Sequence, residues 1–420
     1  MKFNKKVLVV ALAAALPWIG VHAQSNADLL RQIEALKAQL EALTAKVEAV
    51  SKQAGGVNPQ EFNRLVQKVD LVEENSIASG FMGLKFKGVI DVSYVADRNS
   101  AANGFDVTRG NGGYGSTMFE IAKESEDGVS WTLRLVPQSS YPTIVHEASV
   151  SVPVGSSGTR INAGFTPDYS GYEFSMGNVN PLISNNLLYT HTAASNYLGF
   201  GMSYQLGKDW TAKWMVGQVD GLASRRVPGF AYRADYSAGE FSGVGFSGVH
   251  FRTNTAAVGG NADLMEIDAY RTRGDLTLQG QFSVGRVLAG ALDLSGADAK
   301  WWGVSGLVGY KLSPRLQAIA RLDFINNRRN GGGVYFNPTS ASGLSTVFGP
   351  ELDNTGVAPD PTRGANRYAL STGLNYSVNE NTQWKTELRI DRSTGFNFET
   401  SNGVFKKSNT TLGTGLVVSF

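Results

Sequence analysis

From position 84 to its last residue, the sequence alternates apolar and polar side chains in sixteen segments separated by links of unequal length. Successive side chains of a β-strand point to opposite faces, so an alternation with period two predicts strands. Tight turns such as 125–128 and 207–209 alternate along the chain with longer links such as 138–145 and 220–228. Short links on one rim and long links on the other are the layout of a transmembrane β-barrel. A soluble β-sandwich gives no reason for this sorting of link length.

The two faces of each predicted strand differ in chemistry. Within 382–392, one face carries Lys385, Glu387, Arg389 and Asp391, and the other carries Trp384, Thr386, Leu388 and Ile390. A Lys or Arg directed at lipid at mid-depth costs about 2 to 4 kcal/mol, so the charged face must line a wet interior. In lipid, strands satisfy their backbone groups only in a closed barrel. The sequence therefore predicts an all-β protein, a 16-stranded antiparallel transmembrane β-barrel over 77–420.

The final strand, 409–420, predicts how this barrel closes. Its apolar face carries Leu412, Leu416, Val418 and Phe420, and we expect it to pair with the first strand and contact lipid. Tryptophans near strand ends or on the apolar face predict aromatic girdles at the two membrane interfaces. These tryptophans are Trp131, Trp210, Trp214, Trp301, Trp302 and Trp384.

The same alternation predicts which charged side chains line the lumen. The basic ones are Lys85, Lys87, Arg134, Arg160, Lys213, Arg233, Arg315, Arg321, Arg367, Lys385 and Arg389. The acidic ones are Asp91, Glu120, Asp235, Asp323, Glu387 and Asp391. Because rings of Arg and Lys favour anions, eleven bases against six acids predict a mild preference for anions. A second interpretation stays open, in which many of these arginines pair with their acidic neighbours along the wall.

The amino terminus predicts export. Lys2, Lys5 and Lys6 precede an apolar run over 7–16, and Val21-His22-Ala23 supplies a small-x-small cleavage pattern. This arrangement is typical of a secretory signal peptide, which we assign to 1–23.

Residues 24–76 carry a different period. Apolar residues recur at spacings of four and three, at Leu29, Ile33, Leu36, Leu40, Leu43, Val47 and Val50. Such heptads predict an α-helical coiled coil preceding the barrel. The alternative is a single amphipathic helix lying on the barrel, and the mixed a positions do not decide between two and three chains.

Several classes of function find no support. The formal net charge is only +2, so we expect no nucleic-acid partner. The chain has no cysteine, and after the signal peptide its histidines are His146, His191 and His250, far apart in the sequence. The GxGxxG match at 243–248 lies inside a predicted strand and precedes no helix. We therefore predict no enzyme activity, no catalytic residue, no metal and no cofactor.

A signal peptide, a short coiled coil, about sixteen alternating strands and a terminal Phe420 together resemble Gram-negative outer-membrane porins, most closely the phosphate-selective O and P type. The resemblance implies a homotrimer among lipid and lipopolysaccharide, with the N-terminal helix in the periplasm. It also implies that Phe420, Val418 and Leu416 are read by the barrel-assembly machinery. The third long link, near 169–192, is expected to fold inward and constrict the passage, although 327–366 is longer.

The six predicted lumen acids depart from the phosphate-selective pattern, which has a basic ladder with little acid nearby. We therefore expect a porin for passive diffusion of small hydrophilic solutes or ions, mildly favouring anions, with phosphate or carboxylates as candidates. The alternative is a structural or adhesion barrel that anchors the periplasmic coiled coil without an open channel.

Overall fold

The computed structural model describes residues 83–99, 103–107, 116–137, 144–174, 176–193, 196–219, 228–252, 260–290, 296–329 and 349–420. The predicted signal peptide and coiled coil lie outside the described residues. Gly83–Phe420 forms one compact unit. Within the described part of the chain, no helix combines the length and the apolar character needed to cross a membrane.

The unit is a closed barrel of sixteen antiparallel strands, which confirms the predicted fold class of the barrel. The strands are β1 (Leu84–Asp97), β2 (Thr117–Glu124), β3 (Ser130–Leu135), β4 (Val145–Val154), β5 (Thr159–Thr166), β6 (Tyr197–Leu206), β7 (Trp210–Val219), β8 (Gly229–Ser237), β9 (Ser242–Arg252), β10 (Asn261–Arg273), β11 (Leu276–Val287), β12 (Ala299–Ser313), β13 (Leu316–Arg329), β14 (Arg367–Asn379), β15 (Thr382–Ser393) and β16 (Ser408–Ser419). Each strand pairs with the next one along the chain. The short strand Gly104–Asp106 adds to β1, and two small ribbons lie in the last two long links.

The barrel closes where β1 pairs with β16. Their register runs from Val89 opposite Ser419 to Asp97 opposite Thr411. Beyond it, the Phe420 amide donates to the Gly88 carbonyl at 3.0 Å, and the Gly88 amide donates back at 2.8 Å. A Cβ at Gly88 would overlap the tip of the Phe420 ring, so the glycine leaves room for the terminal side chain in this position. Neither strand is left with an unpaired edge, which membranes do not tolerate.

The outer face is apolar, as the alternation predicts. On β16, Leu412, Leu416 and Phe420 are exposed on the outside of the barrel, whereas Thr411 and Val417 are buried inside. Lipid covers such an outer face in a membrane.

One predicted girdle residue is placed differently. Trp301 is only 2% exposed and lies in an apolar cluster inside the barrel, so its assignment to an interfacial girdle is wrong. Its neighbour Trp302 packs against Phe282 in a tilted arrangement and edge-to-face against Phe324 on the outer face. Position near a strand end marks both tryptophans as girdle candidates, because both lie at the start of β12. They occupy opposite faces of the strand, and only Trp302 is on the outer one.

The strand after the third long link starts later than expected. The sequence predicted a strand from 193, but Leu187–His191 forms a short helix, α1, and β6 begins at Tyr197. The Asn186 side chain caps α1 by accepting a hydrogen bond from the Tyr189 amide at 2.7 Å. An Asn at this position satisfies an amide that the helix leaves unpaired.

We expect Leu322→Arg to lower the free energy of unfolding in lipid by about 2 to 4 kcal/mol, because it places a cation in the apolar band. Leu322 is 66% exposed on the outer face of β13. Val357→Arg makes the same exchange at an exposed residue of a long link and should change stability by less than about 0.5 kcal/mol. Urea titration in liposomes measures both values. Equal losses would contradict a lipid-covered outer face.

Candidate functional site

The third long link, residues 167–196, folds into the barrel, as the resemblance implies; we call it the inner loop. Its described residues form hydrogen bonds with side chains on the inner faces of several strands. The partners include Arg233 on β8, Arg321 on β13 and Arg389 on β15. The inner loop therefore crosses the interior and is fixed to more than one side of the wall.

Ser184 is the residue of the inner loop on which most wall contacts converge. Its amide and hydroxyl donate to the two carboxylate oxygens of Glu387 at 2.7 and 2.5 Å. Its carbonyl accepts from Arg321 Nη1 at 2.8 Å, and its hydroxyl accepts from Arg389 Nη1 at 3.0 Å. Charge-assisted hydrogen bonds of this kind are stronger than neutral ones, so Ser184 is tied to β13 and β15 together.

Arg321 is also the centre of a buried ion cluster. Its Nη1 lies 2.8 Å from Glu173 Oε1 of the inner loop, and its Nε lies 3.2 Å from Asp323 Oδ2. The second oxygen of Glu173 accepts from the Asn186 amide at 2.6 Å. Burial raises the pKa of the Glu173 carboxyl, and the Arg321 guanidinium partly offsets that rise. Removing one partner of such a pair leaves an uncompensated buried charge, which costs about 3 to 5 kcal/mol.

Two further bases on β15 bind backbone carbonyls of the inner loop. Lys385 Nζ donates to Gly177 O and to Asn180 O, the latter at 2.5 Å. Arg389 Nη1 donates to Asn185 O at 2.6 Å, while its Nε is paired with Asp391 at 2.8 Å. These two predicted pore-lining residues are thus on the inner face but are used to hold the inner loop.

Polar contacts and apolar packing hold helix α1 against the wall. The Leu187 amide donates to Asp323 Oδ2 at 3.3 Å. Leu188 is fully buried, and a Cβ at Gly303 of β12 would overlap it. His191 is buried at the end of α1, and burial lowers its pKa to about 3, so the imidazole is neutral.

Apolar side chains of the inner loop enter three clusters inside the barrel. The first contains Tyr169, Leu187 and Leu188 together with wall residues such as Trp301 and Ile325. The second contains Met176 with Val89, Met118, Val136 and Val417, and the third contains Leu182 with Leu307 and Ile319. The inner face therefore carries apolar clusters beside the charged side chains that the sequence predicted there. Burial of these side chains stabilises the folded-in position of the loop.

Away from the inner loop, four charged residues form a row across the first four strands. Lys87, Glu120, Arg134 and Glu147 lie opposite one another in register. Successive ion pairs measure 3.3, 2.6 and 2.9 Å. Arg160 lies on the same wall and donates to Ser151 Oγ at 2.7 Å.

The other predicted residues are dispersed. Lys213 lies over the ring of Tyr169 at 4.1 Å, and Arg367 lies over Phe398 at 4.2 Å. Arg233 pairs with Asp235 and Asp268 at 2.7 and 2.8 Å, and Asp91 accepts from Ser93 at 2.7 Å. Lys85 is exposed near the short-turn rim, and Arg315 lies exposed in the turn before β13, outside the strands.

Five acidic residues of the interior were missed by the sequence analysis: Glu147, Asp168, Glu173, Glu266 and Asp268. Strict alternation with Met265 and Ile267 could have identified the two on β10. Those in the inner loop carry no such signal, because a loop has no period. With these five, the interior acids number eleven, equal to the eleven predicted bases, so they offset the whole basic excess inferred from the sequence.

Exposure separates the two signs of charge in the row of four. Lys87 and Arg134 are 66% and 24% exposed, whereas Glu120 and Glu147 are 9% and 14% exposed. A solute in the interior therefore meets more of the cations than of the carboxylates. The described residues hold no cluster of three or more metal-ligating side chains.

The sequence model of the family described as "Putative beta-barrel porin-2, OmpL-like" matches residues 83–420. The fold is similar to that of an anion-selective porin from Comamonas acidovorans, with a TM-score of 0.54 and 12% identity over 80% of this chain and 99% of that one. The outer membrane channel DcaP of Acinetobacter baumannii is similar with a TM-score of 0.53 and 10% identity, over 80% of this chain and 97% of that one. Salmonella typhi OmpF, in complex with daunomycin, is similar with a TM-score of 0.50 and 12% identity, over 80% of this chain and 97% of that one. No curated protein matches the sequence.

At these identities the solved structures show a shared fold, whereas the family match covers most of the chain. Family and fold together indicate a channel of the Gram-negative outer membrane and not an enzyme. The chain belongs to the OmpL-like β-barrel porin-2 family.

Proposed function

We propose that this porin passes small hydrophilic solutes by passive diffusion and mildly favours anions, with phosphate or carboxylates as candidates. The observation that carries the preference is the greater exposure of Lys87 and Arg134 than of their acidic partners. Guanidinium and ammonium groups facing water attract anions, while buried carboxylates are already neutralised by their partners.

We further propose that the inner loop sets the size limit of the passage. Its support is the set of wall contacts through Ser184, Glu173 and the apolar clusters, which fix it inside the barrel. A loop held by buried ion pairs leaves solutes only the remaining cross-section of the interior.

We extend the proposal to the export and assembly of the chain. We infer a homotrimer, with cleavage of 1–23, a periplasmic coiled coil over 24–76, and Phe420, Val418 and Leu416 as the signal for the assembly machinery. The heptads of 24–76 and the terminal aromatic residue support these inferences. Lipopolysaccharide is the expected outer-leaflet neighbour.

A closed, structural barrel is the competing function, and the dense contacts of the inner loop favour it to some degree. Planar-bilayer recordings separate the two. A steady conductance supports the porin, whereas a correctly folded protein that conducts no current supports the structural barrel.

We expect Lys85→Glu combined with Lys87→Glu to shift the reversal potential in a salt gradient toward cations, because two exposed cations of the interior become anions. The control is Lys208→Glu, which makes the same Lys-to-Glu exchange once, and so half the change in charge, in an exposed turn on the same rim. An unshifted potential in the double variant, or an equal shift in the control, would show that the two lysines do not face the ion path.

We expect Gly303→Val to raise the size limit for neutral polymers, because its side chain would overlap Leu188 and displace α1 from β12. The matched control is Gly306→Val on the same strand, where a Cβ meets no atom within 4 Å. Polymer exclusion in planar bilayers measures the limit without a contribution from charge. If both variants keep the parental limit, the inner loop does not determine it.

A further inference from the structure

We propose that a small monovalent anion of the chloride type binds inside the barrel, against the buried guanidinium of Arg367. Arg367 is the first residue of β14, at the long-link end, and its side chain is on the inner face, because Tyr368 after it is exposed on the outside. The site is not part of the row of four, which lies on β1 to β4. The inference does not rest on the conductance of the channel.

The Arg367 cation is buried without a hydrogen-bond partner. The residue is only 2% exposed, and neither Nε nor either Nη has a hydrogen-bond partner among the described residues. The stretch 330–348, which precedes it in the link to β14, contains no Asp or Glu. Removing a guanidinium from water is costly unless it is paired and hydrogen-bonded, so a counterion at this group would stabilise the fold.

The charged groups that act on Arg367 leave it uncompensated. Asp391 attracts this cation and Arg389 repels it. Both oxygens of Asp391 already accept hydrogen bonds from Arg389, at 2.8 and 2.9 Å. His191, which is also affected by both arginines, is neutral. Two cations therefore share one carboxylate, and the local excess is one positive charge.

Carboxylates deeper in the interior are engaged elsewhere. Glu173 and Asp323 pair with Arg321, and Glu387 accepts from Ser184. Arg321 lies opposite position 371 of β14, four residues along the strand from Arg367. Four residues of a strand span about 13 Å, so this buried ion cluster lies away from the start of β14.

An aromatic ring covers one face of the guanidinium. Arg367 Cζ lies 4.2 Å from the centroid of the Phe398 ring. Such a ring attracts the cation through its face. The N–H groups of a guanidinium lie in its own plane, however, so a ring over the face accepts none of them. The N–H edge of Arg367 is therefore the part of the group that can bind an anion.

Charge and surroundings select the class of anion. One negative charge balances the local excess, whereas a phosphate dianion would reverse its sign. Ile325 lies opposite Arg367 in register and is fully buried, as is Ala365 two residues earlier. These apolar side chains offer no hydrogen-bond donors to the several oxygens of an oxyanion, and burial of an ion without such donors is costly. A single-atom halide needs the fewest donors, so chloride fits this site best.

The site lies where the last two long links join the wall. The Ala365 amide donates to Gly349 O at 2.9 Å, and the Asn366 amide donates to Thr394 Oγ1 at 3.1 Å. The aromatic ring over Arg367 belongs to the same link as Thr394. A bound anion therefore joins the start of β14 to the last long link, and it stabilises the folded state by mass action.

The first test uses bromide, which replaces chloride and scatters X-rays anomalously. Crystals of the full chain soaked in bromide are expected to show an anomalous peak within hydrogen-bond distance of the Arg367 guanidinium. Crystals of Arg367→Gln are expected to lack this peak. If the parent shows no peak at Arg367, the proposal is overturned, whatever the variant does.

Urea titration at constant ionic strength is the second test, with chloride exchanged for gluconate, which is too large for a buried site. Once chloride exceeds its dissociation constant, a tenfold rise should increase the ratio of folded to unfolded parent about tenfold. The same rise should leave that ratio unchanged in Arg367→Gln. The matched control is Arg392→Gln, which removes an exposed guanidinium at the same end of the barrel, on the outer face opposite Tyr368.

We expect the control variant to respond to chloride as the parent does. An equal chloride response in the parent and in Arg367→Gln overturns the proposal, and so does an equal loss of the response in both variants. Heat-modifiable gel migration verifies folding of each variant. Because neither readout requires a current, a silent channel would refute the porin function without affecting this result.

Discussion

The structure depends on one constraint, which is that strands crossing lipid must pair every backbone amide and carbonyl among themselves. The pairing of β1 with β16 meets it by joining the two ends of the sheet, and the terminal residue takes part through Gly88. Once the sheet is closed, each strand has a lipid side and an inner side. The alternation of the sequence is a consequence of this division.

A closed wall also creates an interior with a lower polarity than bulk water, where charges interact strongly. Arg321, Lys385 and Arg389 use that interior to hold the inner loop by hydrogen bonds to Ser184, Gly177, Asn180 and Asn185. Charges on the other side, in the row from Lys87 to Glu147, remain partly exposed. Basic residues of the inner face therefore either hold the inner loop or remain exposed in the interior. The path of the inner loop decides which of the two a given residue does.

Strand number and the lipid face follow from the sequence because lipid imposes a strict rule on every second residue. The inner face obeys no comparable rule, since both water and a folded loop accept charged side chains. Alternation therefore places Arg321 and Arg389 inside but gives no sign that Ser184 and Glu173 cover them. Trp301 shows that the inner face also accepts large apolar side chains, because this tryptophan packs inside the barrel and not against lipid.

We propose above all that the inner face of the barrel surrounds a conducting aqueous path while the outer face is sealed by lipid. The cysteine-free sequence allows a direct measurement with Asn162→Cys and Ile161→Cys, adjacent residues of β5 on opposite faces. We predict that a membrane-impermeant anionic thiol reagent modifies position 162 and reduces the current in planar bilayers, while position 161 stays unmodified. Equal modification of both positions, or modification of 162 without any change in current, would contradict the claim.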